Sequence, residues 1–417
     1  MGPERADEIL RHVDETGVVE LTSELVRIPS IVGDDYAVSQ FLARKVAALG
    51  FDVELYELRN YGDRRRGRFN VVWRLRGTGE GPSLMFNGHL DTEPIAPGYD
   101  EIGEDPFSGA VRADGHIYGL GTVNMKGGVA AFVYALKALR DAGFVPQGDI
   151  IAAAVVAEIE YGLGTRHLMD CGLIPDMAIS GEPTNLRIRP AHTGITDVMV
   201  TLRGRPTHMA YPDKGESVLP RLLTLLRRLG DLEITYDLDT YRGYLEPRVN
   251  VGYLHGGYEF RTGLYLDTVT LGLSVRAPKG VTPPSVKEDI EGFLARLRAA
   301  DPGLRAEVSI LNPVPRFFPP YETSDGFYVT QAVARAHEIV TGAPVERSAP
   351  TYGGGDIAIL QYYAGVPCVM YGPGGVAGPF TPPERARIND ITTATRAYAL
   401  AACDVGSRTW AELPGRR

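Results

Sequence analysis

Apolar positions along the first half of the chain fall into two alternating rhythms. Val18, Leu21, Leu25 and Ile28 recur at steps of three and four, which predicts a helix that Pro29 ends. Val38, Phe41, Leu42, Val46 and Leu49 repeat the pattern, with Gly50 as the stop. Short continuous apolar runs at 51–58, 70–75, 83–86 and 149–156 read as strands, the last carrying Ile-Ile-Ala-Ala-Ala-Val-Val. Among them lies a helix with Val129, Phe132, Val133, Leu136 and Leu139 on its inner face. Strands apolar on both sides, alternating with helices, predict a mostly parallel sheet covered on both faces.

The middle of the chain has another order. A strand at 197–202, a helix at 218–229, strands at 248–254 and 264–275, a helix through Val286, Ile290, Phe293, Leu294 and Leu297, and a strand at 306–311 spell β-α-β-β-α-β. That is the ferredoxin-like signature. After Pro313 the first rhythm resumes, with a helix at 327–340 and a strand at 367–371. The fold class is therefore α/β: a discontinuous domain, 1–193 and 314–417, with a smaller α+β domain inserted at 194–313.

Composition narrows the function classes. The 417 residues carry a formal net charge of −9, which argues against nucleic acid or an anionic membrane as partner. No run approaches the ~18 apolar residues of a membrane span, and the charged N-terminus has no signal-like segment. Cys171, Cys368 and Cys403 have neither zinc-pair nor redox spacing, so they read as reduced thiols of a cytoplasmic protein.

Candidate chemistry gathers where strands end. His89 and Asp91 follow the 83–86 run, at the carboxyl edge where open α/β sheets bind ligands. Two residues apart, they face the same way, so Asp91 is placed to orient the His89 ring. Glu158 and Glu160 follow the 149–156 run with the same spacing, and Ser-Gly-Glu-Pro-Thr at 180–184 reads as another strand end, with the single carboxylate of Glu182. Either member of the 158/160 pair suits base or ligand work. A glycine-rich stretch, Gly119 to Gly128, carries Asn124. Each taken alone is a polar turn; four such ends on one edge are a site.

In their order, His-Leu-Asp-Thr at 89–92, Asn-Met-Lys-Gly-Gly at 124–128, Glu-Ile-Glu-Tyr-Gly-Leu-Gly-Thr at 158–165, Gly-Glu-Pro-Thr at 181–184, Ala-His-Thr-Gly at 191–194 and Gly-Pro-Gly at 372–374 resemble one family. It is that of the aminoacylases, acetylornithine deacetylases, succinyl-diaminopimelate desuccinylases and glutamate carboxypeptidases. The resemblance starts near Leu21, with Leu-Val-Arg-Ile-Pro-Ser at 25–30, and continues to the C-terminus. It implies a zinc-peptidase-like catalytic domain with a lid and dimerisation domain, two zinc ions, and hydrolysis of an amide next to a carboxylate. His89 and Glu182 would belong to the first metal site, with Asp91 behind the histidine. The bridging aspartate falls on Asn124, and the last histidine ligand on Phe380, in Pro-Phe-Thr-Pro-Pro-Glu at 379–384. The family's adjacent glutamate pair is split into Glu158 and Glu160, so one member is lost and the sequence leaves open which.

A neutral amide bridges two dications poorly, and phenylalanine offers no lone pair. No functional metal is expected; any residual zinc would sit on His89, Asn124 and Glu182. The expected catalytic set is His89, Asp91, Glu158, Glu160 and His208, the last resembling the family's lid histidine that acts across a homodimer. Asn124, Asn250, Arg276 and Asp356 are expected to contact substrate, an Arg fork suiting a carboxylate. His192, in the Ala-His-Thr-Gly segment, is expected to be structural. The leading expectation is an enzyme working on an amide or N-acyl bond of an amino-acid- or peptide-like small molecule, by hydrolysis, acyl transfer or cyclisation. A conventional mono- or di-zinc hydrolase and a non-catalytic binding protein remain as alternatives.

Overall fold

The computed structural model describes residues 2–59, 67–237, 245–310, 317–375 and 383–413. The chain divides into two compact units, one of residues 1–191, 321–349 and 355–417, the other of residues 192–320 and 350–354. Pro313 and Phe380 lie outside the described residues.

The first unit is built on a six-stranded sheet, in the order Val53–Glu57, Phe69–Leu75, Ile150–Val155, Leu84–His89, Met177–Ser180, Cys368–Met370. The last four strands run parallel, and the Phe69–Leu75 strand joins them antiparallel, as does its neighbour Val53–Glu57 to it. Apolar runs look alike in either sense, so the two antiparallel joins were not legible in the expected parallel sheet. The central strands Leu84–His89 and Ile150–Val155 are buried at every position. Trp73, Phe86, Phe132 and Tyr398 fill the core, the last three rings lying 5.1–5.3 Å apart. The helix Gly127–Asp141 covers one face together with Ile388–Gly406, a helix no periodicity announced.

Close backbone approach places the loops at the carboxyl edge. A Cβ at Gly128, the second residue of the Gly127–Asp141 helix, would lie 2.5 Å from the carbonyl oxygen of Gly181. Any side chain there would push the Asn124 loop away from the Glu182 loop.

The second unit has its own sheet, ordered Arg248–Gly256, Thr268–Ala277, Gly194–Arg203, Arg305–Ile310, with every join antiparallel. The strand at 264–275 thus begins later than its apolar run suggests. Val198, Val200 and Leu202 alternate inward along their strand and meet Leu222, Leu225, Val286, Ile290, Phe293 and Leu294 from two helices. This is the ferredoxin-like arrangement expected of the β-α-β-β-α-β order. The longer helix, Pro283–Ala300, starts under a reciprocal cap between Thr282 and Ser285. No described helix is long and apolar enough to cross a membrane.

Candidate active site

His89 is the last residue of its strand, and its ring is almost wholly buried. Nδ1 lies 2.8 Å from the backbone carbonyl oxygen of Asp91. A carbonyl only accepts, so Nδ1 carries the hydrogen and Nε2 faces the site. There it meets Asn124 Oδ1 at 3.1 Å, Glu182 Oε1 at 3.5 Å and Glu158 Oε2 at 3.9 Å.

Asp91 orients the ring by a different route from the expected one. Its carboxylate stands 3.7 Å from Nδ1, beyond hydrogen-bonding length, and the carbonyl does the orienting. The carboxylate instead accepts the N–H groups of Glu158 and Ile159 at 3.2 and 3.1 Å. Ala157 turns these amides toward it with φ of 60°, a left-handed conformation uncommon for alanine. Asp91 thereby fixes the turn that carries Glu158.

The two glutamates of that turn part company. Glu158 is 8% exposed and points at His89. Glu160 pairs with the Arg68 guanidinium, whose Nε and Nη2 also reach Asp35 Oδ2 at 2.6 Å. The one residue separating Glu158 from Glu160 turns the second carboxylate away from His89 and into a buried ion cluster.

Asn124 sits on a loop whose backbone is irregular at Asn124 and Met125. Glu384 Oε1 accepts the N–H groups of Val123 and Asn124 at 2.8 and 3.2 Å. Lys126 Nζ donates to the carbonyl oxygens of Leu25 and Ile28 at 3.0 and 2.9 Å, tying the loop to the end of the first predicted helix. Asp356, which precedes the helix Ile357–Ala364, is 1% exposed and couples electrostatically to His89, Asp91 and Glu182. Arg189 donates from Nη2 to the carbonyl oxygen of Pro183 at 3.0 Å, and its charge is felt at Glu182.

The electrostatics follow from this crowding. Burial opposes charge on His89, yet Glu158, Glu182, Asp91 and Asp356 together outweigh it and push the imidazole up to about 10. Burial raises the carboxyls of Glu158 and Glu182 above their usual range and takes Asp356 up to about 8, with His89 opposing in each case. A carboxyl raised by burial holds a proton more firmly than a solvated one, which suits Glu158 to take a proton and return it.

The remaining expected residues belong to the second unit. His208 is exposed and its Nδ1 accepts the N–H of Ala210 at 3.1 Å, which leaves Nε2 as its donor. Asn250 is exposed on the strand Arg248–Gly256. Arg276 is half-buried and donates from Nη1 to the carbonyl oxygen of Tyr352 at 3.0 Å. His192 is buried, its Nδ1 2.9 Å from the carbonyl oxygen of Thr193.

Sequence reading passed over Asp35, Arg68 and Arg189, none of which stands at an apolar strand's end, and gave no role to Glu384, although it closes the resembling segment at 379–384. Lys126 had a signal, since it follows Asn124 within the resembling segment. Among the described residues no group of three or more His, Cys, Asp and Glu is arranged to hold a metal ion.

The chain is 29% identical over 312 residues to acetylornithine deacetylase of Proteus mirabilis, covering 72% of this chain and 77% of that protein. It is 25% identical over 390 residues to N-formyl-4-amino-5-aminomethyl-2-methylpyrimidine deformylase of Bacillus subtilis, covering 86% and 87%. The crystal structure of a tripeptidase from Staphylococcus aureus superposes with a TM-score of 0.72 at 22% identity, over 95% of this chain and 99% of that one. The profile of peptidase family M20/M25/M40 matches residues 85–404, a span that holds His89, Asn124, Glu158, Glu182, Asp356 and Glu384. The chain belongs to peptidase family M20/M25/M40 and is an amidohydrolase- or peptidase-like enzyme.

Proposed function

We propose that this enzyme acts on an amide bond of an amino-acid- or peptide-like small molecule, at a site rewritten away from the family's pair of zinc ions. The observation that carries the reading is the Asn124 side-chain oxygen at 3.1 Å from His89 Nε2, the nitrogen that would otherwise face a metal. A neutral amide replaces the bridging carboxylate, Phe380 replaces a histidine, and Glu160 is engaged by Arg68. These donors do not fit two zinc ions.

In the proposed hydrolysis, Glu158 takes a proton from water as the water oxygen attacks the amide carbon. The His89 Nε2–H and the Asn124 amide stand where the oxyanion develops. Glu158 then returns the proton to the leaving nitrogen as the C–N bond breaks, giving a carboxylic acid and an amine. With an amine in place of water, the same groups carry out acyl transfer or cyclisation. Asp356 and Asn124 are assigned to substrate contact, as are Asn250, Arg276 and His208 of the second unit, His208 donating from Nε2. That unit also offers an edge strand, Arg248–Gly256, with Tyr253 and Leu254 exposed, and we assign it to pairing of two chains. Light scattering on the purified chain tests the homodimer.

The deciding experiment measures zinc, manganese and cobalt by elemental mass spectrometry, before and after incubation with excess metal. Amine release from N-acyl amino acids and dipeptides is followed in parallel with and without chelator. Turnover that survives chelation in metal-free protein supports the reading. About one tightly held ion per chain, lost in Glu182→Ala, would replace it with a one-metal hydrolase on His89, Asn124 and Glu182.

A further inference from the structure

Glu384 is absent from the chemistry above, yet it is among the most deeply buried carboxylates of the first unit, at 1% exposure. Taking a carboxylate out of water costs several kcal/mol unless hydrogen bonds replace the lost solvation. The replacement here is confined to one oxygen, Oε2 being buried with no hydrogen-bond partner among the described residues. Oε1 accepts two consecutive backbone N–H groups, of Val123 at 2.8 Å and Asn124 at 3.2 Å.

Glu384 is itself held from three sides. Its N–H donates to Tyr99 Oη at 3.1 Å, and its carbonyl accepts the N–H of Gly119 at 2.9 Å. The next residues, Arg385–Arg387, pair antiparallel with His116–Tyr118. The carboxylate therefore reaches the Asn124 loop from a fixed base, across 260 residues of sequence.

The loop needs such a clamp. Thr122 Oγ1 donates to the carbonyl of Gly119 at 2.6 Å and Lys126 anchors the far end, but the backbone between them is non-helical at Asn124 and Met125. A rotation of the Asn124 backbone swings its amide off His89 Nε2, because the side chain has only two rotatable bonds. Glu384 fixes that backbone at Asn124 itself and at the residue before it.

We propose that Glu384 is a positioning residue: it aims the Asn124 amide at His89 and thereby sets the hydrogen bonding of the His89 ring. The proposal deepens the reading in which Asn124 and His89 act together. Its test uses no substrate, so it stands or falls separately from turnover.

The full-length chain is labelled with ¹⁵N-histidine and the ring signals of His89 are assigned by their loss in His89→Gln. Asn124→Ala is expected to displace the His89 Nε2 signal, and Glu384→Ala to displace it in the same direction. The double variant should move it no further than the larger single one. Glu384→Gln keeps an oxygen acceptor for both N–H groups and should leave the signal near its wild-type position. His337, whose Nδ1 lies 2.8 Å from the Tyr371 hydroxyl, reports that each variant is folded. Should Glu384→Ala fail to fold, Glu384→Leu removes the acceptor while keeping most of the volume. A folded variant without the acceptor whose His89 signals match wild type, while Asn124→Ala displaces them, would overturn the proposal. Equal displacement in Glu384→Gln would overturn it as well.

Discussion

Two buried charge groups lie close together in the first unit and handle the same problem in opposite ways. Asp35, Arg68 and Glu160 form a chain in which the guanidinium contacts both carboxylates. His89, Glu158, Glu182 and Asp356 form a cluster whose carboxylates approach the imidazole without closing on it, at 3.5 Å for Glu182 and 3.9 Å for Glu158. Paired charge is already spent on holding the fold. Charge left near a partner, but short of it, is free to respond to whatever enters. The contrast separates Glu160 from Glu158, which two positions of sequence cannot.

The largest expected effect falls on the open cluster. Glu158→Gln should lower turnover by ~10²–10⁴-fold, the range for removing a general acid/base. Rates on the best substrate from the amine-release panel check this, with unfolding midpoints as the control. Glu160→Gln should leave most of that rate, and an equal loss in both variants breaks the comparison. Next comes the closed chain. Arg68→Ala leaves Asp35 buried and unpaired, so urea unfolding should show a loss of about 3–5 kcal/mol. His89→Ala, by contrast, should cost far less stability than it costs turnover.

The same chain gives a pH signature. Burial first, then the charge of Asp91, push the Asp35 carboxyl up to about 7 against the pull of Arg68. A carboxyl raised in the folded state adds stability that is complete below its unfolded value of about 4 and is lost as pH rises through about 7. Urea midpoints between pH 4 and 8 should therefore fall with pH in the wild type, and less steeply in Asp35→Asn. The smallest effect is expected for the stability of Glu160→Gln, about 1 kcal/mol or less, since that end of the chain is partly solvated. A larger cost would mean that Glu160 is as essential to the cluster as Arg68.

These contrasts mark what the sequence could reveal. The alternation of strand and helix was readable because it is written in local periods, and so were the strand ends that carry His89, Glu158 and Glu182. The helix Ile388–Gly406 was not, because nearly all its residues from Asp390 to Gly406 are buried and no polar stripe marks a face. Which glutamate faces His89 depends on Arg68, 92 residues before Glu160. The hold on Asn124 depends on Glu384, still farther away. Such choices are made in three dimensions and leave no local period. The Asp91 carbonyl shows the same limit at short range: spacing placed Asp91 beside His89, but not which of its oxygens would do the bonding.

The sheet order carries a consequence in time. The strand Cys368–Met370 joins the edge of a sheet whose other five strands lie before residue 181, and Ile388–Gly406 covers a helix that ends at Asp141. During synthesis at roughly 5–20 residues per second, the first unit must wait for the chain's end, while the second can close as soon as its own strands emerge. A nascent chain that has emerged as far as residue 320 would display the second unit's sheet with all its strands present, and a first-unit sheet that still lacks Cys368–Met370 and leaves an apolar edge exposed.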